Sequence, residues 1–454
     1  MNKVRKNSMA FCGGAYGDEG KGRLVDEYVN EFAKKKKVIL YRDNGGSNAG
    51  HTVEFDNVRI ALHQLPSGVF SKGATVVSGK GMVLHPGDLL EEINQVKKVS
   101  NNEVPADIVI DEMAVLCLDT HRAFEGVLKD WQAGGKGSTG RGISPAYSDV
   151  LLRHPLRMRD LRNWDEEKIR SHYKLYDALI KGLNGNLAKA DVNSLCEEGT
   201  TTIKVGSEDN FVNRLRKQAE LLKPNIKDVF DMLSSSWKDE DKVAFVFEKG
   251  QAIGLDARYG VYPDVTASDT TFGGIASSTE GAIDSFEIEH RTAVIKATYM
   301  SSVGVRKLPT IVTGKLAEQI REDANEYGAT TKRPRDIAYL DIPAIRFFLK
   351  SGYITHLGIT HMDIVYPKTP VKICVEYEMN GKRVPYRPDQ EYLLKVKPIY
   401  EELKTWDKKK LQEAKTIDKI PSEAQDYLDF VSKGVGVPVL IITTGPKREQ
   451  SIRV

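Results

Sequence analysis

The chain has 454 residues, 40% of them hydrophobic, so it can bury the core of one large domain or of two to three ordinary ones. Its 66 Lys and Arg residues and 63 Asp and Glu residues leave a formal charge of +3, which is too near neutral to indicate a nucleic-acid or membrane surface. The four cysteines are scattered without a CxxC pair, which favours a reduced, cytoplasmic chain. No apolar run approaches the roughly 20 residues of a membrane span, and the N-terminus lacks the apolar stretch of a signal peptide.

The first elements are predicted to be a strand, a glycine-rich loop, a helix and a second strand. Residues 9–12 form an apolar stretch that two glycines end, and apolar residues then recur at helical spacing over 24–32. The basic cluster at 34–37 is typical of a solvated helix end. Residues 38–41 are again apolar, which completes a strand-helix-strand unit of the kind that builds parallel sheets.

Three later apolar runs, at 243–247, 354–359 and 437–442, predict further strands, and polar or glycine-rich residues follow each of them. In open parallel sheets ligands collect beyond the carboxyl ends of the strands, so these tails are candidate ligand loops. Residues 161–241 are mostly charged and helix-like, with an irregular excursion predicted at 182–209. We expect one α/β domain over 1–454, with a large, mostly parallel central sheet flanked by helices and interrupted by insertions.

The glycine-rich loop at 17–22 has the sequence GDEGKG and fails the Walker A pattern twice, because that pattern needs glycine at Ala15 and a hydroxyl residue at Gly22. Asp18 can replace the missing hydroxyl as a metal ligand, since hard oxygen donors suit Mg²⁺. Lys21 and the amides of the helix N-terminus attract phosphate. The alternative is a tight turn with a surface Asp-Glu pair.

A second motif, NAGHT at 48–52, places His51 close to Asn48 and after a predicted strand. A lone histidine is usually structural, but glycines at 45, 46 and 50 let the backbone approach a ligand closely. His51 is therefore a candidate for acid–base chemistry beside the first loop.

Three more stretches are candidate binding segments. Residues 134–142 are glycine-rich, hydroxylic and basic, and 330–335 set three cations beside two hydroxyls, a composition that suits phosphate or carboxylate. A flexible surface loop and an exposed basic turn are the respective alternatives. Asp363 follows a predicted strand, and its carboxylate can accept both the N1–H and the N2–H₂ donors of guanine, whereas the mixed edge of adenine fits it poorly.

Together these motifs resemble the adenylosuccinate synthetase family. The resemblance runs from about residue 11 to the end and is weak over 161–241. It is carried by GDEGKG, NAGHT, LHQLPSG at 62–68, STGRGI at 138–143, PAY at 145–147, TTFGG at 270–274 and TGP at 444–446.

The resemblance implies a P-loop-like GTP-binding core and a two-step ligation of IMP and L-aspartate. Asp18 matches the base that takes the N1 proton of IMP so that O6 attacks the γ-phosphate of GTP, and His51 matches the acid that stabilises the departing GDP. Asp18 and the Gly50 carbonyl match the Mg²⁺ ligands. Arg153 matches an arginine contributed across a dimer interface, so a homodimer is implied.

The resemblance also implies three groups of binding residues. The GTP site comprises Glu19, Gly20, Lys21, Gly22, Gly50, Thr52, Arg335, His361, Asp363, Thr443, Thr444 and Gly445. The IMP site comprises Asp18, Lys21, Asn48, His51, Thr139, Arg153, Gln251, Thr266 and Arg333. The aspartate site comprises Ala329, Thr330, Thr331, Arg333 and Arg335.

The chain departs from the family pattern at the substrate edges. Lys332 and Pro334 replace a glycine and an arginine of the aspartate loop, and the loop at 301–304 lacks the usual arginine. His361 stands where a lysine packs on guanine, and Asp264 stands where an aromatic residue is common. Two alternatives therefore stay open: a ligase acting on another 6-oxopurine nucleotide such as dGMP, with ATP as a further candidate donor, and a non-catalytic GTP-binding regulator.

Overall fold

The computed structural model describes residues 4–55, 58–129, 131, 138–302, 304, 306–328, 334–447 and 449–454. Within these residues, no helix is both long and apolar enough to cross a bilayer. The strands, in chain order, are β1 Arg5–Gly13, β2 Lys37–Arg42, β3 His51–Phe55, β4 Val58–Leu62, β5 Ala74–Ser78, β6 Val83–Leu84, β7 Asp107–Asp111, β8 Val115–Leu116, β9 Asp191–Cys196, β10 Gly199–Lys204, β11 Ile226–Lys227, β12 Val243–Ala252, β13 Ile288–Lys296, β14 Tyr299–Ser302, β15 Asp336–Asp341, β16 His356–Thr360, β17 Val371–Met379, β18 Lys382–Val384, β19 Lys397–Leu403, β20 Val439–Thr443 and β21 Ser451–Arg453.

The helices pack around these strands. In chain order they are α1 Lys21–Ala33, α2 Pro86–Val99, α3 Asp119–Leu128, α4 Ile143–Leu151, α5 Met158–Arg162, α6 Glu166–Gly182, α7 Glu208–Leu222, α8 Phe230–Lys238, α9 Gly273–Ser278, α10 Lys315–Asp323, α11 Ile342–Ser351, α12 Gln390–Leu393, α13 Lys408–Glu413 and α14 Ser422–Val435. Short 3₁₀ helices lie at Ser67–Phe70, Leu187–Lys189, Lys223–Asn225, Ile253–Leu255, Ser285–Glu287 and Ile417–Lys419.

The central sheet has the order β11–β7–β5–β2–β12–β1–β13–β16–β20–β21, and its neighbours are parallel except for β21. Its inner strands are continuous apolar runs because both faces of the sheet are covered. In β12, Phe245 and Phe247 face one apolar layer, while Ala244 and Val246 face the other. The predicted α/β fold with a mostly parallel central sheet is confirmed.

A smaller sheet of β14, β15, β17 and β18, with β19 paired to β17, packs beside the central one. Its strands β14 and β15 lie on either side of the chain segment that carries α10 and the predicted aspartate loop. The segment between these strands therefore starts and ends in this smaller sheet.

The irregular excursion predicted at 182–209 is wrong. This segment contains the antiparallel hairpin of β9 and β10, with six paired positions from Gly199↔Cys196 to Lys204↔Asp191. The run Thr200–Thr202 followed by Ile203 is β-branched, which favours a strand, and Gly199 takes a positive φ of 120° at the turn. The helices predicted around it are confirmed as α6 and α7.

Candidate active site

The predicted site residues gather at the carboxyl ends of the central strands. The GDEGKG loop leaves β1, His361 and Asp363 follow β16, and residues 443–445 end β20. The tails of β16 and β20 are joined, because the His361 amide donates to Thr443 Oγ1 at 3.2 Å. The polar tail predicted after 243–247 lies inside β12 itself, which runs on to Ala252.

Glu19 shapes the GDEGKG loop from within. Its buried carboxylate accepts from the amides of Gly17, at 2.7 Å, and Ala15, at 3.2 Å, and burial raises the pKa of Glu19. Its carbonyl accepts from Thr360 Oγ1 at 2.7 Å, which ties the loop to β16. Because the Glu19 side chain is bound within the loop, Glu19 can contact a ligand only through its main chain.

The two glycine-containing motifs are in contact. Helix α1 begins at Lys21, and Gly20 takes a positive φ of 80° just before it. A Cβ on Gly22 would lie 2.9 Å from that of His51 and 3.0 Å from Ser67 Oγ, so a side chain there would separate the motifs. The helix N-terminus, the Lys21 ammonium and the imidazole therefore share one corner of the molecule, where anions are favoured.

His51 is buried between two acceptors. Its Nδ1 lies 2.6 Å from Glu248 Oε1, and its Nε2 lies 3.0 Å from the Gly250 carbonyl. Burial and the nearby Lys21 ammonium lower the pKa of His51 to about 4, against the opposing effect of Glu248. The amide of Ser67 donates to Glu248 at 2.9 Å and fixes this carboxylate, which in turn orients the imidazole. Glu248 was not predicted from the sequence.

Asp18 is paired with a cation. Its Oδ2 lies 2.6 Å from Arg335 Nη2, and Arg335 Nη1 lies 2.8 Å from Glu326 Oε2. Glu326 also accepts from the Tyr299 hydroxyl at 2.6 Å and pairs with Lys296. Burial acts to raise the pKa of Glu326, but Lys296 and Arg335 outweigh it and lower that pKa to about 2.

Asn48, Gln251 and Thr266, three predicted IMP contacts, form one polar cluster. Gln251 Nε2 donates to Asn48 Oδ1 at 3.1 Å, and Asn48 Nδ2 lies 3.4 Å from Thr266 Oγ1. A buried ion pair joins Lys249, on the same strand as Gln251, to Asp43, in the loop after β2 that also carries Asn48. These contacts bring together residues 218 positions apart in the chain.

The predicted guanine-binding residues form a second cluster. His361 takes a positive φ of 57° and meets the Tyr299 ring edge-on, and burial together with Lys296 lowers the pKa of His361 to about 3. The Asp363 carboxylate lies 3.8 Å from Lys408 Nζ. Arg23, in α1, donates to the Gly445 carbonyl and so fixes the tail of β20.

Other predicted residues are not brought into these clusters. Thr52 and Thr139 are exposed, and so is Arg153, which takes a positive φ of 66° just after α4 and has no ion-pair partner in the described part of the chain. Five residues of the predicted aspartate loop lie outside the described residues: Ala329, Thr330, Thr331, Lys332 and Arg333.

Two departures from the family pattern, the loop at 301–304 and Asp264, both contact Arg306. This buried guanidinium lies over the Tyr16 ring, 5.0 Å from its centroid, and donates to Ser302 Oγ at 2.9 Å and to the Asp264 carbonyl. Tyr16, which lies two residues before Asp18, also forms a β-bridge with Ser302. Arg306 therefore connects the GDEGKG loop with the segment that carries Thr266.

Two other features lie outside this site. A cavity of about 230 Å³ lined by Asp111, Asp228 and Leu233 contains none of the predicted site residues. His121, Asp149 and His172 are close enough to hold a metal, but His121 Nδ1 accepts from the Leu118 amide at 2.8 Å. The proton of that ring is therefore on Nε2, 2.9 Å from Asp149, and leaves no lone pair for a metal there.

The match to known proteins covers nearly the whole chain. The family model of adenylosuccinate synthetase matches residues 10–452. The chain belongs to the adenylosuccinate synthetase family. Adenylosuccinate synthetase of Clostridium botulinum (strain Eklund 17B / Type B) is 33% identical over 99% of both chains. That of Chlorobium phaeobacteroides is 31% identical over 100% of this chain and 98% of the relative.

Solved structures similar to this chain include a family member and a more distant likeness. Adenylosuccinate synthetase of Plasmodium falciparum, in a fully ligated state, superposes with a TM-score of 0.84 at 28% identity, covering 99% of this chain and 100% of the other. Succinoaminodeoxyadenylate synthetase of cyanophage S-2L, bound to dGMP and dATP, has a TM-score of 0.57 at 18% identity, covering 99% and 95%. The second likeness shows the fold alone.

Membership of the adenylosuccinate synthetase family makes this chain a carbon–nitrogen ligase of purine biosynthesis that joins IMP and L-aspartate. The remaining questions concern which side chains carry each step and how the site is completed.

Proposed function

We propose that Asp18 and His51 act as base and acid in a GTP-dependent ligation that passes through 6-phosphoryl-IMP. The observation that supports this most is the contact between the two motifs, which sets His51 against Gly22 at the N-terminus of α1. The polar cluster of Asn48, Gln251 and Thr266 and the carboxylate of Asp363 lie on elements that end at the same edge of the sheet.

In the first step, Asp18 accepts the N1 proton of IMP, and the electron pair shifts to O6. O6 then forms a bond to the γ-phosphorus of GTP, and the bond from that phosphorus to the bridging oxygen breaks, releasing GDP. In the second step, the aspartate amine attacks C6, phosphate leaves with O6, and the amine nitrogen loses its proton. The first step is needed because an unphosphorylated O6 is a poor leaving group.

His51 supports the departure of GDP. Burial lowers the pKa of His51 to about 4, but its two ring nitrogens face acceptors only, Glu248 at Nδ1 and the Gly250 carbonyl at Nε2, so the pocket is built to hold a proton on both. Phosphate charge beside the ring favours the protonated form, which gives Nε2 a proton to donate to the leaving oxygen. Glu248 orients the ring and stabilises the charged form.

The donor set suits Mg²⁺. Asp18 and the carbonyl of Gly50 are hard oxygen ligands beside a phosphate-attracting helix end, and Mg²⁺ typically takes one or two such ligands with phosphates and waters. When bound, the ion would draw charge from the phosphate oxygens. Asp18 would hold it with the carboxylate that now pairs with Arg335.

We also propose that the active unit is a homodimer. Leu151 and Leu152, at the end of α4, are 83% and 66% exposed, and Arg153 follows them. Neighbouring exposed leucines beside a cation that has no ion-pair partner among the described residues favour an interface with a second copy of the chain. Arg153 would then reach the partner's IMP site.

Steady-state assays with IMP or dGMP, each combined with GTP or ATP, test the proposal. We expect adenylosuccinate from IMP, L-aspartate and GTP, with at least ~10-fold lower kcat/KM for ATP because a carboxylate mismatches the adenine edge. Turnover confined to dGMP would contradict the choice of purine. GTP binding without turnover at saturating IMP and aspartate would contradict catalysis and support a regulator.

A further inference from the structure

Glu326 lies at the centre of a buried cluster of charges that the mechanism above leaves unexplained. Its side chain is 1% exposed and pairs with Lys296, which is 2% exposed. Lys296 Nζ also donates to Ser301 Oγ at 2.6 Å, and the Tyr299 hydroxyl donates to Glu326 Oε1 at 2.6 Å. The carboxylate is therefore fixed from two sides by groups that water does not reach.

Arg335 connects this fixed carboxylate to the site. Its Nη1 is 2.8 Å from Glu326 Oε2, and its Nη2 is 2.6 Å from Asp18 Oδ2. The two ends differ in access, because the Asp18 side chain is 27% exposed and that of Glu326 is 1% exposed. Arg335 Nε is buried and has no hydrogen-bond partner among the described residues. The Nε donor is thus unused, and the partly exposed pair with Asp18 is open to exchange.

The backbone gives Glu326 a second hold on Arg335. The Arg335 amide donates to the Glu326 carbonyl at 3.0 Å, and Tyr327 and Pro334 form an antiparallel bridge. These four residues form the stem of the segment predicted to bind aspartate. The stem keeps the Arg335 main chain in place while its side chain changes partners.

We propose that Glu326 is a positioning residue that anchors Arg335 while its guanidinium exchanges Asp18 for an incoming anionic group of a substrate. The inference rests on the proposed roles of Asp18 and Arg335. An oxygen of Asp18 that Arg335 occupies is unavailable to the N1–H of IMP. Anion binding at Arg335 would therefore release the base, and the site would become competent when the phosphate or carboxylate that neutralises Arg335 is in place.

A guanidinium cannot lose its charge in a protein, so Arg335 always needs a negative partner. Glu326 supplies one permanently, which lets the other partner change without leaving a buried cation unpaired. Without the Glu326 charge, Arg335 would be held more strongly by Asp18, and the exchange would be less favourable.

A double-mutant cycle of Glu326→Gln and Arg335→Met tests the proposal. We expect Glu326→Gln to lower kcat by about 10- to 100-fold, and Glu326→Asp to recover part of the loss. The double variant should be no slower than Arg335→Met alone, because Glu326 acts through Arg335. Independent, multiplicative losses would overturn the proposal.

Asp119→Asn is a matched control. Asp119 is also a buried carboxylate that pairs with two basic side chains, His85 and Arg214, but it lies at the start of α3. We expect Asp119→Asn to lower the melting temperature while kcat changes less than ~3-fold. If Glu326→Gln fails to fold, Lys296→Met/Glu326→Gln removes the buried charge pair together and carries the same kinetic test. Wild-type enzyme that makes no adenylosuccinate would contradict the proposed function. Independent, multiplicative losses of kcat in an active enzyme would contradict this inference alone.

A crystal structure with IMP, L-aspartate and a non-hydrolysable GTP analogue gives a readout that does not depend on turnover. We expect Arg335 Nη1 to remain within hydrogen-bond distance of Glu326, with Nη2 on a substrate oxygen and Asp18 released. Arg335 retained on Asp18, or detached from Glu326, would overturn the proposal.

Discussion

Asp363 is the side chain that we propose sets the nucleotide preference. Its carboxylate is 13% exposed and has Lys408 Nζ at 3.8 Å. Burial raises the pKa of Asp363, while Lys408 and Arg23 lower it. An ionised Asp363 would accept two hydrogen bonds from the N1–H and N2–H₂ donors of guanine, and a hydrogen bond to a charged group typically contributes about 1.5–3 kcal/mol.

Asp363→Asn should therefore exchange GTP for XTP. The amide keeps one acceptor for N1–H but presents a donor to position 2, where xanthine carries a carbonyl and guanine an amino group. We expect kcat/KM for GTP to fall by about 10²–10³-fold, with XTP preferred to GTP in the variant. Unchanged GTP kinetics would place guanine recognition elsewhere.

The residues that the sequence identifies differ from those that it misses. Asp18 and His51 stand out because glycines surround them and because they fall after predicted strands. Glu248 was missed as the partner of His51 because the two are 197 positions apart in the sequence. They meet because β12, which carries Glu248, lies between β1 and β2 in the central sheet. Glu326 was missed for a related reason, because its partner Lys296 ends another strand and nothing local marks either residue as buried.

At the scale of elements, Arg306 connects segments that are distant in the sequence. The loop at 301–304 lacks an arginine, but the Arg306 guanidinium reaches Ser302, Tyr16 and the Asp264 carbonyl from the next segment. It thereby holds together the loops that follow β1 and precede Thr266. Spacing along the chain could not show this, because Tyr16, Asp264 and Arg306 lie far apart in the sequence.

Arg306→Met should loosen this connection. The substitution removes the buried donors to the Ser302 hydroxyl and the Asp264 carbonyl, and loss of such bonds costs about 1–3 kcal/mol. We expect a lower melting temperature and a several-fold higher KM for IMP, with partial recovery in Arg306→Lys. Calorimetry together with IMP kinetics checks both effects, and an unchanged KM would limit Arg306 to a structural role.

The weakly matching region at 161–241 contains both predicted and unpredicted elements. Charged, helix-like residues correctly predicted α6 and α7, because their apolar positions recur at helical spacing. The β9–β10 hairpin between them was not predicted, since its strands are short and largely exposed and show no alternation of buried and exposed residues.

At the scale of the whole molecule, the fold was predictable because continuous apolar strands followed by polar loops are typical of a parallel sheet with ligands at one edge. The oligomeric state is not encoded in such patterns. The exposed leucines beside Arg153 became informative when the end of α4 was placed on the surface.

Mixing two inactive variants tests whether Arg153 serves the partner's site. A heterodimer of Asp18→Asn and Arg153→Ala contains one site with both wild-type groups if Arg153 acts across the interface. We expect activity to return on mixing, towards about one quarter of the wild-type value for random exchange of subunits. No recovery from subunits shown to exchange would place Arg153 in its own site or outside catalysis.

The turnover of Asp18→Asn tests the central assignment most directly. With saturating IMP, L-aspartate, GTP and Mg²⁺, we expect adenylosuccinate formation to fall by about 10²–10⁴-fold while nucleotide binding stays measurable, as for loss of a general base. Glu27→Gln is the control, because Glu27 is a carboxylate of α1 that hydrogen-bonds Ser451 outside the site. A turnover of Asp18→Asn close to that of the wild type would contradict the role of Asp18 as the base.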